Sequence, residues 1–207
     1  MFHVKHAPTE IPGVSRETRE RLDLYAETLL RWNRTINLIS RHDEAEFWQR
    51  HIVDCLQLAP LVPAGISHAI DLGSGGGLPG LVLAIVTGIP FHLVEADQRK
   101  AAFLREAARR TAAPATVHAT RIEAVTLPPA PLVTARALAP LPTLLGWSHP
   151  LLASGGVCLF LKGRSVDDEL TAASAEWHMT VERTPSRTDT AASILRISEI
   201  DRVRNAP

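Results

Sequence analysis

The stretch Asp71-Leu72-Gly73-Ser74-Gly75-Gly76-Gly77-Leu78-Pro79-Gly80 decides the fold class of this sequence. It follows a short apolar run at 69–72 that predicts a β-strand, and it leads into an apolar segment of helix length at 78–86. Gly73 and Gly75 allow the backbone to turn tightly and to approach a ligand closely. A glycine-rich turn between a strand and a helix is typical of nucleotide-type cofactor sites in α/β proteins.

The next apolar run ends in Glu95, a position from which a carboxylate can hold two ribose hydroxyls. Two cofactor classes share this arrangement. A dinucleotide site has the spacing G-x-G-x-x-G, and here Leu78 occupies the position of the third glycine. The run Gly73 to Gly77 after Asp71 is similar instead to the turn of S-adenosylmethionine sites, where a helix N-terminus could favour the cofactor carboxylate. A purely structural turn is the remaining alternative.

Strands and helices alternate from residue 69 onward, and the two strands around the first helix should be parallel. Further strands are predicted at 91–95, 115–118, 131–134, 156–161, 179–182 and 193–197, and further helices at 99–111 and 141–152. This order predicts an α/β fold with a doubly wound, mostly parallel, seven-stranded Rossmann-like sheet.

The first third of the chain is predicted to be helical. Ser15 is a good N-cap for a helix that reaches Asn33, and Asp43 can cap a second helix that Pro60 and Pro63 end. We expect a flexible tail over 1–14, an N-terminal helical segment over 15–64 packed on the core, and an S-adenosylmethionine-dependent methyltransferase domain over 65–207.

Composition excludes several classes of protein. Lys and Arg number 22, as do Asp and Glu, so the formal net charge is zero, which counts mildly against a nucleic-acid partner but permits a local basic face. Cys55 and Cys158 lie in apolar runs and should be reduced, buried thiols, and no metal site is expected. The first residues are too polar for a signal peptide and no apolar run is long enough to span a bilayer, which predicts a cytoplasmic protein.

Several motifs, in a fixed order, carry a resemblance to a known family. They are Trp32-Asn33 with Asn37-Leu38, Arg50-His51-Ile52-Val53-Asp54, the turn at 71–80, Arg99-Lys100 with Phe103-Leu104, Arg121-Ile122-Glu123, Ala135-Arg136-Ala137 and Leu161-Lys162-Gly163. The chain after Ser15 resembles the bacterial small-subunit (16S) ribosomal RNA guanine-N7 methyltransferases, the glucose-inhibited division protein B family. The resemblance implies methyl transfer from S-adenosylmethionine to N7 of one guanine, by a monomer acting on an assembled 30S particle.

The resemblance also implies residue roles. Glu95 should bind the ribose of the cofactor, while the Ile122 backbone and the Glu123 carboxylate should meet the adenine. The whole implied cofactor set is Gly73, Ser74, Gly75, Gly77, Leu78, Glu95, Ile122, Glu123 and Arg136, and the implied RNA contacts are Arg99, Lys100, Arg136 and Lys162. Two positions depart from many members: Cys55 replaces a serine, and Ala192-Ser193-Ile194-Leu195 replaces a stretch with an Arg-His pair.

The implied chemistry needs no catalytic side chain. N7 of guanine carries a free lone pair at neutral pH, so we expect no general base, and positioning should supply the rate enhancement. Since positive charge leaves sulfur during transfer, Arg136 and Lys162 should hold phosphate or the cofactor carboxylate instead of the reacting atoms. His51 and Trp32 are interpreted as packing residues, and Arg105 and Arg109 as a solvated face or an RNA contact.

Three other functions stay open at this point. A methyltransferase acting on a small molecule would suit the neutral net charge. A ribosome assembly factor could bind the cofactor without performing chemistry, although the intact turn and Glu95 argue against a decayed site. A nicotinamide dehydrogenase is disfavoured by Leu78.

Overall fold

A computed structural model of the chain describes residues 13–40 and 42–203, apart from the side chain of residue 42. Of the predicted flexible tail, residues 1–14, the first twelve lie outside the described residues. Val14 is partly buried against the hydrophobic core. Within the described ranges, no helix is both long and apolar enough to cross a membrane.

The core of the molecule is a seven-stranded sheet with the strand order β3-β2-β1-β4-β5-β7-β6. The strands are β1 (Ala69–Leu72), β2 (Phe91–Val94), β3 (Ala115–His118), β4 (Ala130–Arg136), β5 (Leu152–Lys162), β6 (Trp177–Pro185) and β7 (Ser193–Arg202). The first five are parallel, and β7 runs antiparallel to both β5 and β6. The doubly wound, mostly parallel sheet is therefore confirmed.

Helices cover the two faces of this sheet. They are α1 (Arg16–Asn33), α2 (Asp54–Leu56), α3 (Gly80–Thr87), α4 (Gln98–Thr111), α5 (Leu141–Ser148) and α6 (Val166–Ser174). Side chains of α1, α3 and α4 join one hydrophobic cluster, and side chains of α5 and α6 join the cluster on the opposite face. Every residue of β1 is buried, as expected for a central parallel strand covered on both faces.

The helix α1 begins as predicted, because the Ser15 hydroxyl accepts a hydrogen bond of 3.1 Å from the Thr18 N–H. Its buried face includes Leu22, Tyr25 and Leu29, which share a cluster with Leu81 of α3 and Phe103 of α4. The N-terminal helix and the sheet domain thus have one common hydrophobic core.

The second predicted helix was wrong in its geometry. Residues Trp48–Val53 form a π-helix that continues into the short α2, and Asp43 does not cap it. The Asp43 carboxylate instead binds Arg50 at 2.9 Å and accepts a hydrogen bond of 2.7 Å from Ser40. Apolar periodicity indicates a helical segment but does not distinguish a π-helix, which is rare and often lies at functional sites.

The helix α6 was not predicted at all. Only Val166 and Ala173 of this helix are buried, and its first turn carries three consecutive acidic residues, so its apolar periodicity is weak. The helix follows β5 and precedes β6 in the chain, its two buried residues belong to the hydrophobic cluster that includes α5, and it brings Glu169 against Lys162.

Candidate active site

The glycine-rich turn wraps around the carboxyl end of β1. Gly73 and Gly75 have φ of +60° and +52°, left-handed conformations that favour glycine. Ser74 is buried between them, where its N–H donates to the Val94 carbonyl at 3.0 Å and its hydroxyl donates to the Asp71 carbonyl at 3.1 Å. The turn is therefore anchored to both β1 and β2.

Asp71, at the centre of β1, is fully buried beneath this turn. Its Oδ1 accepts a hydrogen bond of 2.6 Å from the Thr134 hydroxyl on β4. A Cβ added at Gly80 would lie 2.4 Å from the Asp71 Cβ, so only glycine lets α3 begin this close to the strand. Burial raises the pKa of the Asp71 carboxyl to about 6, even though the Thr134 hydrogen bond acts in the opposite direction.

Glu95 follows the carboxyl end of β2 and is 8% exposed. Its Oε2 accepts a hydrogen bond from the Gly75 N–H and its Oε1 from the Asp97 N–H, each at 2.8 Å. Two backbone donors on separate loops thus fix the orientation of the carboxylate. Each oxygen keeps a further lone pair that can accept a hydrogen bond from a hydroxyl group of a ligand.

A cavity of about 640 Å³ opens beside this carboxylate, at the carboxyl ends of β1, β2 and β4. Eight of the nine residues predicted to bind the cofactor line it: Gly73, Ser74, Gly75, Leu78, Glu95, Ile122, Glu123 and Arg136. Gly77 does not line it. The Gly77 N–H donates to Ser74, and an added Cβ would lie 2.9 Å from the Leu81 Cβ, so this glycine permits close packing against α3.

The N-terminal segment forms part of the same cavity, which sequence reasoning did not predict. Asn33 Oδ1 accepts hydrogen bonds from the N–H groups of Leu38 (2.8 Å) and Ile39 (3.0 Å), and both residues line the cavity. The Tyr25 hydroxyl donates to the Gly76 carbonyl at 2.5 Å. A buried tyrosine on an apolar stripe gave no signal for this contact, since its partner lies in a distant turn.

Arg136 lies where the π-helix meets the cavity. Its Nη2 donates to the Arg50 carbonyl at 3.0 Å and to His51 Nδ1 at 2.9 Å, and it lies 3.6 Å from Asp54 Oδ2. Its Nη1 is 3.8 Å from the Cys55 sulfur. The motif of residues 50–54 therefore surrounds one guanidinium with three acceptors, which gives a physical reason for these residue types at this spacing. Both cysteines are free and buried, as predicted.

His51 is 7% exposed, in agreement with its interpretation as a buried histidine. Burial, together with the neighbouring charge of Arg136, lowers the pKa of the imidazole to about 4. Because a guanidinium can only donate, the neutral ring accepts at Nδ1 and carries its proton at Nε2. The Nε2 atom faces Asp43 Oδ2 at 3.8 Å.

The other predicted RNA-binding residues have different surroundings. Lys100 lines the cavity. Arg99 is exposed and donates from Nη2 to the Thr35 carbonyl at 2.7 Å. Lys162 is only 8% exposed, where it pairs with Glu169 and donates to the Ala139 carbonyl at 2.8 Å. Two of its three donors are therefore already used, so its proposed contact with RNA has little support.

The cavity has the features that S-adenosylmethionine requires. A fixed carboxylate, Glu95, suits a ribose diol, and the half-buried side chain of Ile122 suits a flat purine. Lys100 and Arg136 on the cavity wall suit a carboxylate, and Glu123 suits polar N–H groups. These residues fit S-adenosylmethionine, the cofactor that the glycine-rich turn predicts.

Comparison with known proteins identifies the family. The family model for the rRNA small subunit methyltransferase G matches residues 18–193. The chain belongs to this family. The methyltransferases G of Granulibacter bethesdensis and Acidiphilium cryptum are similar to it. They are 58% and 60% identical, and the matches cover 98% and 91% of this chain and 100% and 94% of theirs.

Solved structures agree with the fold of this methyltransferase G family member. The N-methyltransferase NodS from Bradyrhizobium japonicum, in complex with S-adenosyl-L-homocysteine, has a TM-score of 0.57 at 16% identity, and the match covers 88% of this chain and 100% of that one. The ribosomal protein L11 methylase of Lactobacillus delbrueckii also has a TM-score of 0.57, at 15% identity, covering 70% of this chain and 75% of that one. At this identity the similarity concerns the fold alone.

Proposed function

We propose that this enzyme transfers the methyl group of S-adenosylmethionine to N7 of a single guanine in small-subunit (16S) ribosomal RNA. It is a methyltransferase by family, and rRNA of the small subunit is its substrate class. The observation that carries the cofactor assignment is the Glu95 carboxylate, held by the Gly75 and Asp97 N–H groups at the wall of the cavity. We further propose that the enzyme is a cytoplasmic monomer that acts on an assembled 30S particle.

Within this proposal, Glu95 binds the ribose, Ile122 and Glu123 contact the adenine, and the glycine-rich turn faces the amino-acid part of the cofactor. When bound, S-adenosylmethionine supplies an electrophilic methyl group on a positively charged sulfur. The N7 lone pair forms a bond to the methyl carbon as the carbon–sulfur bond breaks, and S-adenosylhomocysteine leaves. The positive charge moves to the base.

No residue has to remove a proton from N7, so the role of the protein is alignment. His51 suits this scheme because its low pKa keeps the ring neutral at pH 7, where it accepts a hydrogen bond from Arg136. The Asp54 carboxylate, 3.6 Å from Arg136, offsets part of the guanidinium charge. Arg136 can therefore orient ligands without opposing the movement of positive charge onto the base.

The test is to incubate the purified protein with methyl-labelled S-adenosylmethionine and small ribosomal subunits that lack the modification. Nuclease digestion and mass spectrometry then map the label. Label at N7 of one guanine is the expected result. Parallel reactions with naked 16S RNA and with assembled subunits distinguish the two forms of the substrate. Cofactor binding without any labelled RNA would contradict the proposal and favour a small-molecule substrate or a non-catalytic assembly factor.

A further inference from the structure

A second cavity, of about 530 Å³, lies next to the first and shares Arg136 and Ala137 with it. It opens at the carboxyl ends of β4 and β5, one strand further along the sheet from the cofactor cavity. In open α/β sheets, ligands bind outside the carboxyl ends of the strands. A methyl acceptor must lie beside the cofactor, and the second cavity has two wall residues, Arg136 and Ala137, in common with the first.

The wall of this second cavity is polar and suits a nucleotide. Asp54 is 8% exposed, and its Oδ1 accepts hydrogen bonds from Thr188 (2.6 Å) and Ser186 (3.3 Å). Its Oδ2 has only the distant contact with Arg136 among the described residues, so it can accept further hydrogen bonds. An ionised carboxylate only accepts hydrogen bonds, which suits the N–H donors of a guanine edge.

Two exposed arginines are sequence neighbours of residues that line this cavity. Arg164 follows the lining residue Gly163, and Arg187 precedes the lining residue Thr188. Within residues 13–40 and 42–203, neither side chain forms a hydrogen bond or an ion pair. Most other arginines near the site are paired, as Arg50 is with Asp43 and Arg183 with Asp167.

The loop that carries Arg187 is held in place. The Arg187 N–H donates to Gln57 Oε1 at 2.6 Å, and the neighbouring Ser186 and Thr188 hydroxyls bind Asp54. The loop between β6 and β7 is thus fixed to the N-terminal segment, while the Arg187 guanidinium stays exposed. An exposed, unpaired arginine on a fixed loop is suited to a phosphate group.

We propose that the second cavity receives the guanine nucleotide to be methylated, and that Arg164 and Arg187 bind the phosphates on either side of it. This inference rests on the proposed function and identifies the RNA site of the same enzyme. The target base must leave its stack to enter the cavity, as it does in other enzymes that act on bases. The flanking phosphates are then exposed at the mouth.

A cavity-blocking experiment tests the first part. Thr190→Trp places a large ring at a lining position, whereas Ala191→Trp places the same ring on the exposed neighbour that does not line the cavity. We expect Thr190→Trp to lower methyl transfer to unmodified small subunits by about tenfold or more, with calorimetric affinity for S-adenosylhomocysteine unchanged. Ala191→Trp should behave like the parent. Full activity of Thr190→Trp would overturn the assignment of the cavity.

The salt dependence of RNA binding tests the second part. Arg164→Gln and Arg187→Gln should each reduce the slope of log K against log salt concentration by about one. The control is Arg202→Gln, at the end of β7 that lies away from Lys162 and the cavity, and it should leave the slope unchanged. Unchanged slopes in both flanking variants would overturn the phosphate contacts. A parent enzyme that methylates no small-subunit RNA would overturn the proposed function as well, whereas an active parent with active cavity-blocked variants overturns this inference alone.

Discussion

His51 Nδ1 accepts a hydrogen bond of 2.9 Å from Arg136 Nη2, and this contact connects the π-helix to the wall shared by both cavities. A second bond from the same Nη2, to the Arg50 carbonyl at 3.0 Å, holds the guanidinium on the same side. The π-helix thereby orients an arginine that lies far from it in sequence. The proposed role of Arg136 in binding depends on this orientation.

Removal of the His51 imidazole, which accepts the hydrogen bond from Arg136, should weaken cofactor binding. We expect His51→Leu to lower the affinity for S-adenosylhomocysteine by about tenfold, since a hydrogen bond to a charged group contributes about 1.5–3 kcal/mol. His51→Asn, whose Oδ1 can replace the imidazole Nδ1, should retain most of the affinity. Calorimetry on both variants is the measurement. Equal losses in the two variants would show that the ring acts by packing and not as an acceptor.

The lowered pKa of His51 should also make the stability of the protein depend on pH. Its pKa is lowered from 6.5 to about 4, so between these values the unfolded chain binds a proton that the folded protein excludes. The contribution of His51 to the free energy of unfolding should therefore fall as the pH is lowered from 6.5 to 4, by at most about 3 kcal/mol. Asp71 acts in the opposite sense: its pKa is raised from 3.8 to about 6, so its stabilising contribution is present below pH 3.8 and is lost as the pH rises to 6.

Because the contributions of His51 and Asp71 to stability change with pH in opposite directions, a variant of each residue is needed to measure them separately. Urea unfolding at pH 7 and pH 5 should show a smaller loss of stability on acidification for His51→Asn than for the parent. Asp71→Asn should show a larger loss than the parent. Identical pH profiles for the parent and both variants would contradict the assigned protonation states.

Glu95→Gln tests the ribose contact. Glutamine has one acceptor oxygen, so it can keep the hydrogen bond from only one of the Gly75 and Asp97 N–H groups. The affinity for S-adenosylhomocysteine should fall by about tenfold to a hundredfold, because a charged acceptor for two hydroxyls is lost. Glu182→Gln, which changes an exposed carboxylate on β6 paired with Arg196, is the matched control. An unchanged affinity in Glu95→Gln would exclude Glu95 as a ribose ligand.

The strands and the cofactor turn could be predicted because local signals specify them. Short apolar runs separated by Gly73 to Gly77 and by amphipathic helices indicate parallel strands, and this signal does not depend on residues far away in sequence. The π-helix at Trp48–Val53 and the contact of Tyr25 with Gly76 depend on partners that lie far away in sequence. Likewise, nothing local indicates that Lys162 is buried against Glu169 of an unpredicted helix. Sequence patterns therefore predicted the strands and the glycine-rich turn better than the surroundings of Arg136 and Lys162.

Gly80 should be intolerant of even a methyl group. The added Cβ would lie 2.4 Å from the Asp71 Cβ and 2.6 Å from its Cγ, and neither atom can move without displacing β1. We expect Gly80→Ala to lower the free energy of unfolding by about 1–3 kcal/mol, the usual range for overpacking. The control is Gly146→Ala in α5, where the nearest atom, in Trp177, is 4.0 Å away. That variant should be neutral or more stable by up to about 1 kcal/mol, because alanine favours a helix. Urea unfolding of the pair distinguishes a steric effect from a general effect of losing glycine.

Asn33 holds the loop of Leu38 and Ile39, which line the first cavity, so the loss of its side chain should act on the loop more than on the fold. Asn33→Ala removes the acceptor for the Leu38 and Ile39 N–H groups and the donor to Glu44, at 2.7 Å. Amide hydrogen exchange of Ile39 should become faster by about tenfold or more, because loop opening no longer breaks its bond to Asn33. Exchange of Leu38 should change less, because its N–H also donates to the Ile36 carbonyl at 3.0 Å. Exchange in β1 should change far less. Affinity for S-adenosylhomocysteine should fall in parallel, because both residues line the cavity. If exchange in the loop rises while affinity stays constant, the loop does not contact the cofactor and the cavity is closed from another side.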